Sequence, residues 1–167
     1  MTEIRELRQE DILKIVQSFK EIGWNKPASQ YERYFKEQAA GKRQVFVAFE
    51  DDKFAGYLTV VFKSNYPPFA EKHIPEINDF NVLPEFRRRK IGTKLMDKAE
   101  EFISRKSEIA GIGVGLHEDY GAAQRLYVLR GYVPDGRGIV WQNRAPKYGE
   151  KVTVDDDLNL YFTKILR

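Results

Sequence analysis

Apolar positions in this chain recur at two different spacings, and the alternation between them predicts a fold of helices set between strands. Ile12, Ile15, Val16 and Phe19 lie at helical spacing, so a helix is expected over residues 11–19. Gly23 to Pro27 breaks that pattern, and Ser29 is the expected cap of a second helix running through Tyr31, Tyr34 and Phe35 towards Gly41. Ile4 to Leu7 reads as a short first strand. Val45–Phe49 and Phe54–Phe62 are β-rich runs around Glu50-Asp51-Asp52-Lys53, a hairpin signature. Ser64 to Pro68 reads as loop and Ile74 to Val82 as a further strand. Ile91, Leu95, Ala99, Phe102 and Ile103 form one stripe of an amphipathic helix that ends near Arg105. Ile109–Leu116 is a strand interrupted by glycine. Gly121–Arg130 is a short helix with Gly131 at its C′ position. Ile139–Gln142 and Leu158–Ile165 close the pattern as strands. The expected class is α/β (or α+β), a layered domain around a mixed sheet.

Length and composition narrow this picture. With 167 residues, no repeat and no linker, one domain over residues 1–167 is expected. The absence of cysteine excludes disulfides, thiol catalysis and cysteine-ligated metal, and fits a reducing compartment. His73 and His117 are too far apart in the chain for a metal site, so no metal is expected. A net charge of +3 does not by itself argue for nucleic acid. The N-terminus has no apolar signal region, and no run approaches the roughly 18 apolar residues of a membrane span. A cytoplasmic protein with no membrane partner is the expectation.

One segment changes the picture from fold to chemistry. After the strand that ends at Val82, Pro84 stops the ladder. Arg87, Arg88, Arg89 and Lys90 then run directly into the helix that starts at Ile91. A helix N-terminus carries about half a positive charge, so acids are favoured there and four cations are not. No Ser, Thr, Asp or Asn lies in residues 87–91 to cap the free N–H groups. An external anion would answer both deficits, and Gly92 and Thr93 add a close-approach position and a hydroxyl. The alternative is a solvated basic patch.

This segment resembles the signature of the GNAT (Gcn5-related N-acetyltransferase) superfamily, a Val-x-Pro strand end followed by Arg/Gln-x-x-Gly-x-Gly/Ala opening a helix. Arg87 and Gly92 match. Lys90 stands where glycine is usual, and fits there with a negative φ or with its ammonium against a phosphate. A second block, Ala123 to Tyr132, is similar to the family's Asn-x-x-Ala-x-x-Leu-Tyr-x-x-x-Gly-Phe/Tyr: Ala123, Leu126, Tyr127, Gly131 and Tyr132 match in spacing, and Tyr120 replaces the asparagine.

The resemblance implies a mostly antiparallel mixed sheet flanked by helices on both faces. It also implies an enzyme that transfers the acetyl group of acetyl-CoA to a primary amine by direct attack in a ternary complex. Carried over, Arg87, Arg88, Arg89, Lys90, Ile91, Gly92 and Thr93 hold the CoA pyrophosphate. Phe80, Asn81 and Val82 pair with the pantetheine arm, the Val82 amide faces the developing oxyanion, and Tyr127 is the acid for the departing sulfur. Without the motif, Tyr127 reads as core.

Deprotonating the amine calls for a base. The strand over residues 74–82 is oddly polar, with Glu76, Asn78, Asp79 and Asn81, and a cleft along it is expected because unpaired carboxylates are costly in a core. Glu76 is the first candidate, since histone-type members of the family place a glutamate six residues before the Val82 position. Asp79 is the second and His117 the third. Strand periodicity puts Glu76 and Asp79 on opposite faces. The acceptor, a small-molecule or peptide amine, is expected to meet the Gly23–Pro27 turn, Tyr31, Tyr34, the Ser64–His73 loop and residues 135–157. These carry Trp24, Tyr66, Phe69, Trp141 and the acids Asp155, Asp156 and Asp157. Polyamine, aminoglycoside-like, amino-acid and protein amines all stay open, as does a homodimer. Two rival classes remain: an acyl-CoA sensor without turnover, and a nucleic-acid binder using residues 87–90, which lacks an interleaved stacking platform.

Overall fold

The computed structural model describes residues 1–167. Its elements run β1 (Thr2–Glu6), α1 (Asp11–Glu21), α2 (Ala28–Ala39), β2 (Arg43–Glu50), β3 (Lys53–Val61), α3 (Pro67–Glu71), β4 (Glu76–Val82), α4 (Ile91–Ser104), β5 (Ile109–Gly115), α5 (Gly121–Leu129), β6 (Val133–Trp141) and β7 (Leu158–Ile165). Short 3-10 turns span Pro84–Phe86 and Glu118–Tyr120. The fold is mixed α/β, as the periodicities predict, and its seven strands are mostly antiparallel, as the resemblance implies. The chain divides into two compact units, one of Met1–Val61 with Ile77–Phe102 and one of Phe62–Glu76 with Ile103–Arg167.

In the first unit the strand order is β1-β2-β3-β4. The hairpin between β2 and β3 turns on Asp51 and Asp52, both left-handed at φ 47° and 65°. This is the two-residue turn whose twist matches flanking strands, and aspartate tolerates it. β2 and β3 are buried almost end to end, as strands covered on both faces must be. Phe19 of α1 packs edge-on against Phe54 and Tyr57, and Tyr31 of α2 against Tyr57, with ring centroids 5.5–6.0 Å apart. Buried Asp11 opens α1 and receives Arg5 at 2.6 and 2.8 Å and the Arg8 amide at 2.8 Å. Ser29 does not cap α2. Extended Pro27 (ψ 145°) precedes a helix that already begins at Ala28, and Ser29 falls inside its first turn.

In the second unit the order is β5-β7-β6. Three glycines on one face of β5 explain its interrupted pattern. A Cβ would lie 2.4 Å from the Phe69 ring at Gly111, 2.8 Å from Tyr161 at Gly113 and 2.5 Å from Tyr120 at Gly115. Each glycine admits an aromatic ring where a side chain would collide. Residues 67–71 are helical rather than loop, because the Pro-Pro start favours a first helical turn and Phe69 is drawn into the core with Tyr66, Ile74, Val140 and Tyr161. β6 begins six residues before the expected strand; its register slips between Pro134 and Ile139, where Gly136 and Gly138 take positive φ. α5 ends as expected: Gly131 at φ 90° occupies C′, its amide bonds the Val128 carbonyl, and the Tyr132 amide bonds the Tyr127 carbonyl. No helix is long and apolar enough to cross a membrane.

Candidate functional site

The cationic loop is stretched between buried anchors. Leu83 and Phe86 are buried before it and Ile91 after it, while Arg87, Arg88, Arg89 and Lys90 are all exposed. Arg88 and Lys90 adopt φ 61° and 62°. Lys90 is therefore not accommodated through a negative φ, one of the two ways in which lysine would fit this position. The chain between the 3-10 turn and α4 is short and fixed at both ends, and it takes glycine-like conformations without glycines. Each costs about 1–2 kcal/mol for an L-residue, and such strain gathers where function requires a particular backbone.

α4 has no acid in its first turn. Its first main-chain bond runs from Lys94 N–H to the Lys90 carbonyl, 3.0 Å, so the amides of Ile91, Gly92 and Thr93 lie in the open first turn. Arg87 Nε donates to the Val82 carbonyl at 3.2 Å, and the Arg89 guanidinium lies 5.5 Å from the Phe86 ring centroid. Gly92 faces the Phe80 ring, where a Cβ would come within 3.2 Å, and a Cβ on Gly56 would lie 2.5 Å from the Asn81 carbonyl oxygen. Glycine at both positions lets main chain pass close to β4 at Phe80–Val82.

In the same unit Asp79 is the centre of a polar cluster. It is left-handed, φ 48°, in the middle of a strand. Simple alternation therefore fails at this residue. Tyr57 and Tyr34 hydroxyls donate to Oδ2 at 2.6 and 2.8 Å, Gln30 Nε2 to Oδ2 at 3.0 Å, and Asn81 Nδ2 to Oδ1 at 3.0 Å. Burial first, and then the Asp79 charge, push the Tyr34 phenol up to about 12. The same two causes push Tyr57 well above the ordinary tyrosine range. Asn78 is likewise satisfied, accepting from Thr59 Oγ1 at 2.6 Å and Arg43 at 3.2 Å. The polarity of β4 is thus answered by hydrogen-bonding partners rather than by a cleft alone. Tyr57, Gln30 and Lys26, whose ammonium lies 3.8 Å from Asp79 Oδ1, were missed as partners of Asp79. Gly56, an isolated glycine inside a strand, was the signal that a second backbone comes close.

In the second unit Glu76 is buried and accepts Ser64 Oγ at 3.0 Å. The same Ser64 oxygen accepts the Tyr66 amide. Tyr66 stacks on Tyr161 at 3.7 Å and donates to Asp135 at 2.7 Å. Tyr127 is 4% exposed, and burial raises its phenol pKa well above the ordinary value, with Tyr120 adding to the shift. A phenol so shifted stays protonated at neutral pH. It donates a hydrogen bond well, but full transfer of its proton to a thiolate is less favourable than an unshifted phenol would allow. Tyr120 donates to Asp156 at 2.6 Å, and Trp141 Nε1 to Asp155 at 3.3 Å, so the acidic turn fastens two aromatic rings. His117 caps the Glu118–Tyr120 turn, its Nδ1 accepting the Asp119 amide at 3.2 Å.

Comparison with known proteins gives these positions a family. The model of the acetyltransferase (GNAT) family matches residues 9–132. The chain belongs to the GNAT acetyltransferase family. An uncharacterized N-acetyltransferase of Archaeoglobus fulgidus is 40% identical over 76 residues, 44% of this chain and 50% of that one, so the chain spans about half the length of this relative. Among solved structures, an N-acetyltransferase of Staphylococcus aureus superposes with TM-score 0.73 at 16% identity, over 100% of this chain and 99% of the other. A Salmonella typhimurium protein solved with its cofactor acetyl-CoA gives 0.70 at 18% identity, over 99% and 94%. At these identities the structures show a shared fold. Both the loop and Asp79 lie inside the matched family span.

Proposed function

We propose that this GNAT protein transfers the acetyl group of acetyl-CoA, its co-substrate, to a primary amine by direct attack in a ternary complex. The observation that carries the reading is the loop from Arg87 to Thr93: four exposed cations, two left-handed residues and an acid-free, open helix start, all of which suit a polyanionic pyrophosphate. Family membership and the fold neighbour solved with acetyl-CoA support it. Phe80, Asn81 and Val82 serve the pantetheine arm, with the Val82 amide as oxyanion donor.

In the reaction the amine loses a proton to Glu76, to Asp79 or to a water leading to one of them. Its nitrogen forms the C–N bond of the amide, the C–S bond breaks, and the sulfur leaves while accepting a hydrogen bond from Tyr127. Glu76 is the first candidate base, since it stands six residues before Val82, where histone-type members of the family place a glutamate; Asp79 is the second. The roles predict distinct kinetics. Tyr127→Phe should lower turnover roughly 10–1000-fold with acetyl-CoA affinity nearly unchanged, because an acid or its hydrogen bond acts on the reacting state. The measurement is acetyl-CoA consumption across an amine library, paired with calorimetry. Unchanged turnover in that variant would remove Tyr127 from the mechanism, and acetyl-CoA binding without consumption over the whole library would favour a sensor.

A further inference from the structure

Lys26 lies in the coil between α1 and α2, and its ammonium is held loosely in a place built for a cation. Nζ is 3.8 Å from Asp79 Oδ1, and the lysine side chain is 25% exposed. It also lies 5.7 Å from the centroid of the Phe19 ring, which Trp24 stacks against at 5.8 Å. The first contact is a charge contact without a hydrogen bond, and the second is at the outer reach of a cation–π interaction. A structural pin closes tighter, as Arg5 does on Asp11 at 2.6 and 2.8 Å.

The carboxylate is the opposite. Four neutral donors and a left-handed backbone fix its position, yet none of those donors brings positive charge. Arg43, stacked 4.1 Å over the Tyr34 ring, is already paired with Glu37 at 2.6 Å. Asp79 is 21% exposed, so a cation from solution can reach it. A rigid anion with a loose cation and an aromatic wall is a binding site with an exchangeable occupant.

We propose that Asp79 is the subsite for an ammonium group of the acceptor, and that Lys26 is a tethered placeholder which the acceptor displaces. The word acceptor rests on the acetyltransferase reading; the binding does not. The ligand class is a primary alkylammonium on an unbranched chain, which is the chemistry of the lysine side chain itself. Diamines, polyamines and lysine side chains of peptides share it. The α-ammonium of a free amino acid does not, because its carboxylate would face Asp79.

The probe is n-butylammonium, the lysine side chain without its backbone, with n-butanol as the neutral control. Both are titrated into the full-length, 15N-labelled protein, and the side-chain amide resonances of Gln30 and Asn81, which bond Asp79, report on the site. Saturable shifts with n-butylammonium and not with n-butanol are expected. Lys26→Met should tighten that binding roughly fivefold or more, since the competitor no longer holds part of the population. Unchanged or weaker binding in Lys26→Met, equal shifts with n-butanol, or no shifts at all would overturn the proposal. Asp79→Asn should abolish the shifts in a protein that still melts cooperatively, and Lys26→Met decides the matter if it does not. Acetyl-CoA added to the same sample separates the two claims. Shifts at the amides of residues 88–93 without n-butylammonium binding sink the subsite alone. n-Butylammonium binding without acetyl-CoA shifts upholds the subsite and sinks the acetyltransferase reading.

Discussion

The Asp79 cluster and the Arg87–Thr93 loop follow each other along the same stretch of chain, and both hold non-glycine residues at positive φ. They differ in what answers that strain. At Asp79 the answer is internal: four side-chain donors converge on one carboxylate. In the loop the cations are exposed, the helix start is open, and the direct contacts, Arg87 on a carbonyl and Arg89 over Phe86, include no carboxylate; Asp51 is felt by Arg89 only as a longer-range charge. A carboxylate held by its own neighbours belongs to the scaffold even where it also meets a ligand. A loop left charged and open contributes little to the scaffold and depends on a ligand.

Removing charge from the loop should therefore affect binding and spare folding. Arg87→Ala combined with Arg89→Ala should weaken acetyl-CoA about 100-fold or more, as two charge-assisted hydrogen bonds at about 1.5–3 kcal/mol each would require. Melting should barely move, and calorimetry beside thermal denaturation reads both. Equal affinity in the double variant would erase the contrast.

Truncating the internally completed site should do the reverse. Asp79→Ala should cost about 2–4 kcal/mol in denaturant unfolding, because the fully buried Tyr57 loses its 2.6 Å acceptor and Tyr34 and Gln30 lose theirs. Acetyl-CoA affinity in the folded fraction should hold within a few-fold. A neutral effect on stability would mean that the cluster is not the scaffold its geometry describes.

The smallest effect sharpens the loop itself. Lys90→Gly removes a left-handed lysine, and should stabilise the fold by up to about 1 kcal/mol, the αL penalty less the extra entropy of glycine in the unfolded chain. A loss of stability would show that the lysine side chain, not the backbone conformation, holds this turn.

The loop was legible in the sequence because its signal is local. Four consecutive cations, an absent cap and Gly92 sit within a few residues, and a macrodipole argument needs nothing more. The α/β class was legible for the same reason, through the two periodicities. The Asp79 cluster was only half visible. Asp79 stood out as a polar residue in a strand, but Tyr57, its 2.6 Å partner 22 residues earlier, lies in a run buried on both faces, where alternation carries no information about direction. The positive φ of Asp79 is imposed by tertiary contacts, so periodicity alone placed that carboxylate by a rule the strand does not obey there. Ser29 failed as a cap for a related reason: proline fixed the helix start one residue ahead of it.

The central claim is that the main-chain amides from Arg88 to Thr93 receive the pyrophosphate of acetyl-CoA. Backbone amide NMR of the 15N-labelled protein, titrated with acetyl-CoA, tests it residue by residue. The account predicts saturable shifts that are largest at residues 88–93. Saturable binding that leaves those six amides unmoved would contradict it.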